Sequence, residues 1–254
     1  MTSVGIIGAG HVGCALAFDM ASRGHDTVIR ALDGHAGNTA AIKANGGYLN
    51  ATGVLSGRVR VRVENGLARL TESIIVVAMP CTGHQHVLRE LRQHDLGRKT
   101  IILVAGNAVT LQAQTILGGA AGAVLATATS PFSSRVSSDG SVSVRGIKKH
   151  LDICALGRAA TRPDVDDVFP VPLVWCASAL DMFLRGVNAV LHVPTALMNV
   201  GWAETTGGDF FFYRQGMSPG VCRVTHRSWE DFAVDDLGLV DGGSSEDGDG
   251  GRRG

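Results

Sequence analysis

Continuous apolar runs alternate with glycine-rich turns through the first half of the chain. Val4–Ile7, Ser73–Met79 and Thr100–Ala105 carry no alternation of apolar and polar positions, the mark of parallel strands buried on both faces. Between the first run and a second one at Thr27–Ile29, the positions Cys14, Ala15, Ala17, Phe18 and Ala21 recur at helical spacing, with Gly24 closing the helix. In GRVRVRVENG, residues 57–66, arginines alternate with valines, which predicts one strand with a basic face. FPVP, residues 169–172, reads as a linker, and a helical pattern begins at Leu173. Within it, NAVLHVPTALMN places Asn188, His192, Thr195 and Asn199 on one face of a helix whose other positions are mostly apolar. Such a stripe suits either a site or a set of polar groups satisfied inside a core.

The final 22 residues, 233–254, contain seven glycines and five aspartates and no apolar period. Such a segment buries too little surface to offset its ordering entropy and is expected to be disordered, or else to serve as an acidic binding tail.

Composition narrows the possibilities. Of 254 residues 45% are hydrophobic, enough for a sizeable core, and 23 basic residues balance 23 acidic ones. No net field therefore draws the chain to nucleic acid or to an anionic membrane, and the basic strand reads as a solvated face. The five cysteines are odd in number and widely spaced, with no CxxC pair, so neither a disulfide framework nor a zinc knuckle is suggested. His84 and His86 lack a third ligand at sensible spacing and read as a surface pair at a helix start, with no metal implied. Neither a leader nor an apolar run long enough to span a bilayer is present, and a cytoplasmic protein is expected.

The first run is followed at once by Gly8, Gly10 and Gly13 in G-x-G-x-x-G spacing, and then by the helix. Chemistry explains the spacing: Gly8 permits the tight turn, Gly10 lets a pyrophosphate approach the backbone, and Gly13 lets helix and strand pack closely. The helix N-terminus at His11 and Val12 offers free N–H groups to phosphates. The expected fold is α/β, a Rossmann-type doubly wound parallel sheet followed by an incomplete α-helical domain. Its boundaries are 1–168 for the dinucleotide-binding domain, 169–232 for a partial helical substrate or dimerisation domain, and 233–254 for the tail. Loops 79–84, with Met79 and Pro80, and 105–109 should line the cofactor cleft beyond the strand ends. At the end of the second strand Ala31 stands where an acid would hold the ribose of NAD. Arg30 beside it is placed to pair with a 2′-phosphate, so NADP is favoured with NAD possible, unless Arg30 is merely solvated and Asp33 reaches back.

Three later segments, TATSPFSSRVSSDGSVSVRGIKKHLDICAL (127–156), NAVLHVPTALMN (188–199) and TTGGDFFFYRQGMSPGV (205–221), occur in that order. Together with the glycine turn, they resemble the opine dehydrogenase family over roughly residues 3–232. That resemblance implies an NAD(P)H-dependent oxidoreductase that joins an amino acid to an α-keto acid by reducing their imine. It implies His192 as the catalytic acid or base facing the nicotinamide, Asn188 one turn earlier as its orienter, Arg135 as a partner of a substrate carboxylate, and Asn199 as a further substrate contact. Ala126 and Gln215 depart from the usual acidic residues, and the acidic partner of the histidine, which relatives supply from later helices, has no counterpart. A non-catalytic dinucleotide-binding module and a ketopantoate-reductase-like 2-keto acid reductase remain as alternatives. The helices after 173 should leave an apolar face uncovered, which favours self-association, including a homodimer.

Overall fold

The computed structural model describes residues 2–32, 37–106, 109–157, 162–186 and 188–233. Asp33, Asn107 and the acidic tail beyond Ala233 lie outside the described residues. The chain divides into two compact units, Met1–Arg185 and Gly186–Gly254.

The first unit opens with β1 (Ser3–Ile7), α1 (His11–Ser22), β2 (Asp26–Ala31), α2 (Gly37–Ala44), β3 (Tyr48–Gly53), β4 (Gly57–Arg60) and β5 (Arg62–Asn65). It continues with β6 (Ile74–Val77), α3 (Cys81–Leu91), β7 (Thr100–Leu103), α4 (Thr110–Leu117), β8 (Ala123–Thr127), β9 (Phe132–Val136) and β10 (Val142–Ile147). It closes with β11 (Leu151–Ala155), β12 (Leu173–Trp175) and α5 (Ala179–Leu184). Eight strands form one sheet in the order β12-β11-β8-β7-β6-β1-β2-β5. From β8 to β5 every pairing is parallel, with β1 at the point where the winding reverses. The apolar runs are uninterrupted because both faces are covered. Ile6, Ile29, Val76 and Ile102 join the cluster around α1, while Ile7, Ile75, Val77 and Leu103 join Val87, Leu88 and Leu91 of α3.

A second sheet, β4-β3-β10-β9, has no counterpart in the sequence reading. Its Leu49, Ala51, Val142 and Val144 pack into the same cluster as Phe18 and Met20, so α1 lies under both sheets and is buried without a break from Gly13 to Met20.

Two expectations about the first unit change. The run 57–66 is not one strand: β4 pairs antiparallel with β3 and β5 parallel with β2, in different sheets, with buried Val61 between them. The alternation persists because Val59, Val61 and Val63 all face the α1 cluster, while Arg62 pairs outside with Asp26 at 3.0 Å. Residues 169–172 are not a solvent linker either. Phe169 and Val171 are buried in that cluster, and the chain then adds β12 in parallel to β11, staying with the first sheet.

The second unit consists of α6 (Asn188–Met198), α7 (Val200–Thr206) and α8 (Pro219–Ala233), with α6 packed on α8. Its interior is thin: Val190, Thr195, Asn199, Gly216 and Val221 are buried, while Leu197, Trp202, Phe211 and Trp229 remain exposed. Among the described residues, no helix is long and apolar enough to cross a membrane.

Candidate functional site

Each glycine of the turn after β1 has its own steric reason. Gly8 sits at φ +111°, and a Cβ there would lie 2.4 Å from the Ala78 carbonyl oxygen. A Cβ on Gly13 would lie 1.8 Å from the Gly8 oxygen, so only glycine lets α1 come this close to the strand end. Around Gly10 there is nothing within 4 Å of where a Cβ would be. Its extended backbone (φ −82°) would accept a side chain, so what Gly10 leaves is open space beside the start of α1. Cys14 is the first residue to close a helical bond, to Gly10, which leaves the amides of His11, Val12 and Gly13 without a helical acceptor, and no side chain among the described residues caps them. This is the arrangement that receives an anion.

The space beside the turn is a cavity of about 320 Å³ walled by the glycine turn, Ala31 and Leu32 at the end of β2, Asn38, and Met79, Pro80 and Thr82. Asn38, which no sequence signal marked, donates to the Ala9 carbonyl at 2.7 Å and pins α2 to the turn. His11 is likewise held, its Nδ1 accepting from the Val136 amide at 2.9 Å while the Ser134 hydroxyl donates to its carbonyl. Cys14 just beyond is a packing group, its thiol pushed up to about 12 by burial. Beyond β7, Ala105 adopts φ +54°, the one non-glycine residue with positive φ among the described residues.

Arg30 does not face this cavity as a free cation. Its side chain is 1% exposed, and its guanidinium pairs with Glu72 and Glu64, each at 2.8 Å, and donates to the carbonyls of Gly66 and Arg69. The role given to Arg30 at a 2′-phosphate is therefore corrected: the guanidinium is committed inside the fold. The sequence could not show this, because the partner carboxylate lies 42 residues further on.

His84 also departs from its reading as a surface histidine. On α3 it is 1% exposed, and neither ring nitrogen makes a hydrogen bond among the described residues. Burial lowers its pKa below the ordinary 6.5, with the Met79 backbone acting weakly the other way. His86, two positions on and so across the helix, is exposed and near Glu90, so the pair shares no ligand.

In the second unit the polar stripe of α6 separates into two kinds of residue. Thr195 is fully buried and donates to the Leu191 carbonyl and to the Met217 sulfur. Asn199 donates from Nδ2 to the carbonyls of Thr195 and Gly216, at 2.7 and 2.9 Å. These donors hold the 210–217 loop, so Asn199 acts as a structural clamp. Gly216 is required beneath it, since a Cβ would lie 2.4 Å from the Phe212 carbonyl oxygen. Gln215 accepts from the Phe211 amide at 2.7 Å, supplying the carbonyl-type oxygen that a glutamate would otherwise provide. Asn188 is exposed, and His192 is half-buried. Phe212 and Tyr213 lie side by side against the imidazole, with ring centroids at 5.9 and 5.8 Å. Arg135, in the first unit, is exposed on β9 and donates to the Ser134 carbonyl, alternating with the residues that hold His11. Among the described residues, no group of three or more metal-ligating side chains occurs.

The first unit thus has a Rossmann-type dinucleotide-binding fold. Residues 3–107 match the family described as NADP oxidoreductase coenzyme F420-dependent, and residues 175–233 match the NAD/NADP octopine/nopaline dehydrogenase alpha-helical domain. D-nopaline dehydrogenase of Agrobacterium tumefaciens (strain T37) is 25% identical over 260 residues, covering 87% of this chain and 62% of the relative. Vitopine synthase of Allorhizobium ampelinum is 26% identical, covering 88% and 65%. A structure of octopine dehydrogenase with NADH and L-arginine superposes with a TM-score of 0.66 at 18% identity, over 88% of this chain and 60% of that one. A probable 2-dehydropantoate 2-reductase from Bacillus subtilis gives 0.60 at 20% identity, over 91% and 80%. The chain spans a little over three-fifths of the length of these curated relatives.

Proposed function

We propose that the chain is an NAD(P)H-dependent oxidoreductase of opine dehydrogenase type, whose substrates are an amino acid and an α-keto acid. The observation that carries the reading is the open space at Gly10 against three uncapped amides, in a chain whose helical segment matches the octopine/nopaline dehydrogenase domain. A nicotinamide dinucleotide bound there supplies the hydride. The chain's own part begins with the His11, Val12 and Gly13 amides, which bind the pyrophosphate, while the glycine at position 10 keeps side-chain atoms out of its way. Ala31 at the end of β2 presents no carboxylate to a 2′-phosphate, which is what now supports NADP as well as NAD, in place of Arg30.

His192 is the proton-transfer group of this reading. As imidazolium it donates a proton to the keto oxygen as water leaves during imine formation, and as imidazole it takes one back in the reverse direction. Asn188, one turn earlier and exposed, orients substrate or ring. Arg135 is retained as the candidate partner of a substrate carboxylate, since its guanidinium is exposed.

The test is NADPH and NADH oxidation across a panel of α-keto acids, with and without amino acids. Amine-dependent oxidation with formation of a secondary amine is the expected result. Equal oxidation without the amine would replace this reading with that of a simple 2-keto acid reductase. Cofactor binding without turnover would leave only a dinucleotide-binding module.

A further inference from the structure

The loop that the lower half of the polar stripe clamps carries two aromatic residues to His192. Asn199 fixes the Gly216 end of this loop, and Gln215 closes it on Phe211. Phe210 stacks on Trp202 at 5.0 Å. Loop residues with this many ties are held in one arrangement, and here that arrangement sets Phe212 and Tyr213 edge to face, 5.2 Å apart, beside the imidazole. The Tyr213 hydroxyl lies 3.4 Å from His192 Nδ1 and 3.4 Å from Nε2. Equal distances put the oxygen in the lone-pair direction of neither nitrogen. Engaging either one requires the ring to rotate. Among the described residues this hydroxyl is the polar side-chain group recorded against the ring.

We propose that Tyr213 is the positioning residue of His192: its hydroxyl hydrogen-bonds the imidazole nitrogen that substrate does not engage, and so fixes the ring's tilt. This inference rests on the reading of His192 as the proton-transfer group. A phenol suits the task because it donates to a neutral imidazole and accepts from an imidazolium, so the contact survives both protonation states of a proton-transfer cycle. The second bond is charge-assisted and the stronger, so the hydroxyl favours the imidazolium, the form needed to protonate a leaving oxygen. Tyr213 stays a positioning residue here, since nothing places it against the reacting atoms.

The experiment uses the full chain labelled with ¹³C at histidine. The His192 Cε1 resonance, assigned by its loss in His192→Gln, is followed through a pH titration in the parent protein, Tyr213→Phe and Tyr213→Leu. Tyr213→Phe keeps the ring and removes only the oxygen, so it leaves the packing of the loop in place. A lower His192 midpoint in Tyr213→Phe, accompanied by a kcat reduced about tenfold at unchanged cofactor KM, is the expected result, a smaller loss than removal of the proton-transfer group itself. An unchanged titration in Tyr213→Phe overturns the proposal, whatever the activity. A shifted titration in a protein that turns over no keto acid keeps Tyr213 as the partner of His192 and removes the dehydrogenase reading instead.

Discussion

Arg30 and Glu72 meet at 2.8 Å with side chains 1% and 0% exposed, over Gly5 of β1, where a Cβ would press on the Glu72 carboxyl carbon at 3.2 Å. The pair is incompletely satisfied, since Arg30 Nε and Glu72 Oε2 have no partner among the described residues. Removing Arg30 leaves Glu72 as an uncompensated buried charge, whereas removing Glu72 leaves Arg30 its part-exposed partner Glu64. Arg30→Met alone should cost about 3–5 kcal/mol and Glu72→Gln less, because Glu64 stays on Arg30, and the double replacement Arg30→Met with Glu72→Leu should recover much of the larger loss. Urea unfolding of the three variants checks this, and additive losses would show that the two residues do not act as a pair.

Two glycines of the turn should separate binding from folding. Gly10→Val, which meets empty space, should keep the melting temperature of the parent and lose cofactor binding. Gly13→Ala, whose Cβ would strike the Gly8 carbonyl, should lower stability by about 1–3 kcal/mol through overpacking. Differential scanning calorimetry with a fluorescence titration of NADPH on each variant reads both quantities.

His84 predicts an acid limb in the stability profile. Its folded pKa lies below the ordinary 6.5, so in the window beneath 6.5 the unfolded chain binds more protons than the folded one. Stability is therefore full above that window and declines as pH falls through it. His84→Leu, which keeps an apolar side chain in the apolar surroundings of α3, should flatten this part of the curve. The unfolding midpoint in urea, measured from neutral pH downward, tests it; a parent protein whose stability is constant there would contradict the assignment.

On the second unit, the expected outcome for His192→Ala is a kcat lowered about a hundredfold or more with cofactor affinity retained, as for lost proton transfer. Asn199→Ala should behave in the opposite way. It leaves the Gly216 carbonyl unpaired and should cost about 1–3 kcal/mol of stability, with activity following the folded fraction. Turnover and melting temperature on one preparation of each variant distinguish the two roles.

The apolar groove between α6 and α8, lined by Val190, Leu191, Met217, Cys222 and Trp229, has a volume of about 430 Å³ and is open to solvent. With Leu197 and Trp202 also exposed, the second unit should self-associate, a second copy covering what one copy leaves open. Sedimentation at micromolar concentration should show species larger than one chain, reduced by Trp229→Gln. A single sedimenting monomer in the parent would contradict this.

The parallel core and the glycine turn were legible because both are local: a continuous apolar run states its own burial, and three glycines at fixed spacing state their own geometry. The second sheet was hidden because β3, β9 and β10 are short and mixed in character. Their pairing partners are up to 91 residues apart, as Val142 and Ala51 are, and nothing in their spacing announces this. Arg30 illustrates the same limit. Its neighbours in sequence suggested a phosphate, whereas Glu72 decided its role. In the polar stripe, periodicity located four residues on one helix face but could not tell Thr195 and Asn199, which are spent on backbone carbonyls, from His192, which is not. The Tyr213 contact spans a separation of 21 residues, with α7 in between, and was absent from the pattern altogether.

Helix α1, enclosed by a sheet on either side, has a thermodynamic consequence for any anion arriving at its first turn. Its residues from Cys14 to Met20 are buried and their amides are bonded within the helix, and such segments open only with the whole domain, so they should be among the slowest to exchange hydrogen for deuterium. The binding end of the helix is therefore preorganised before a ligand arrives, and association there carries little entropy cost for ordering the protein.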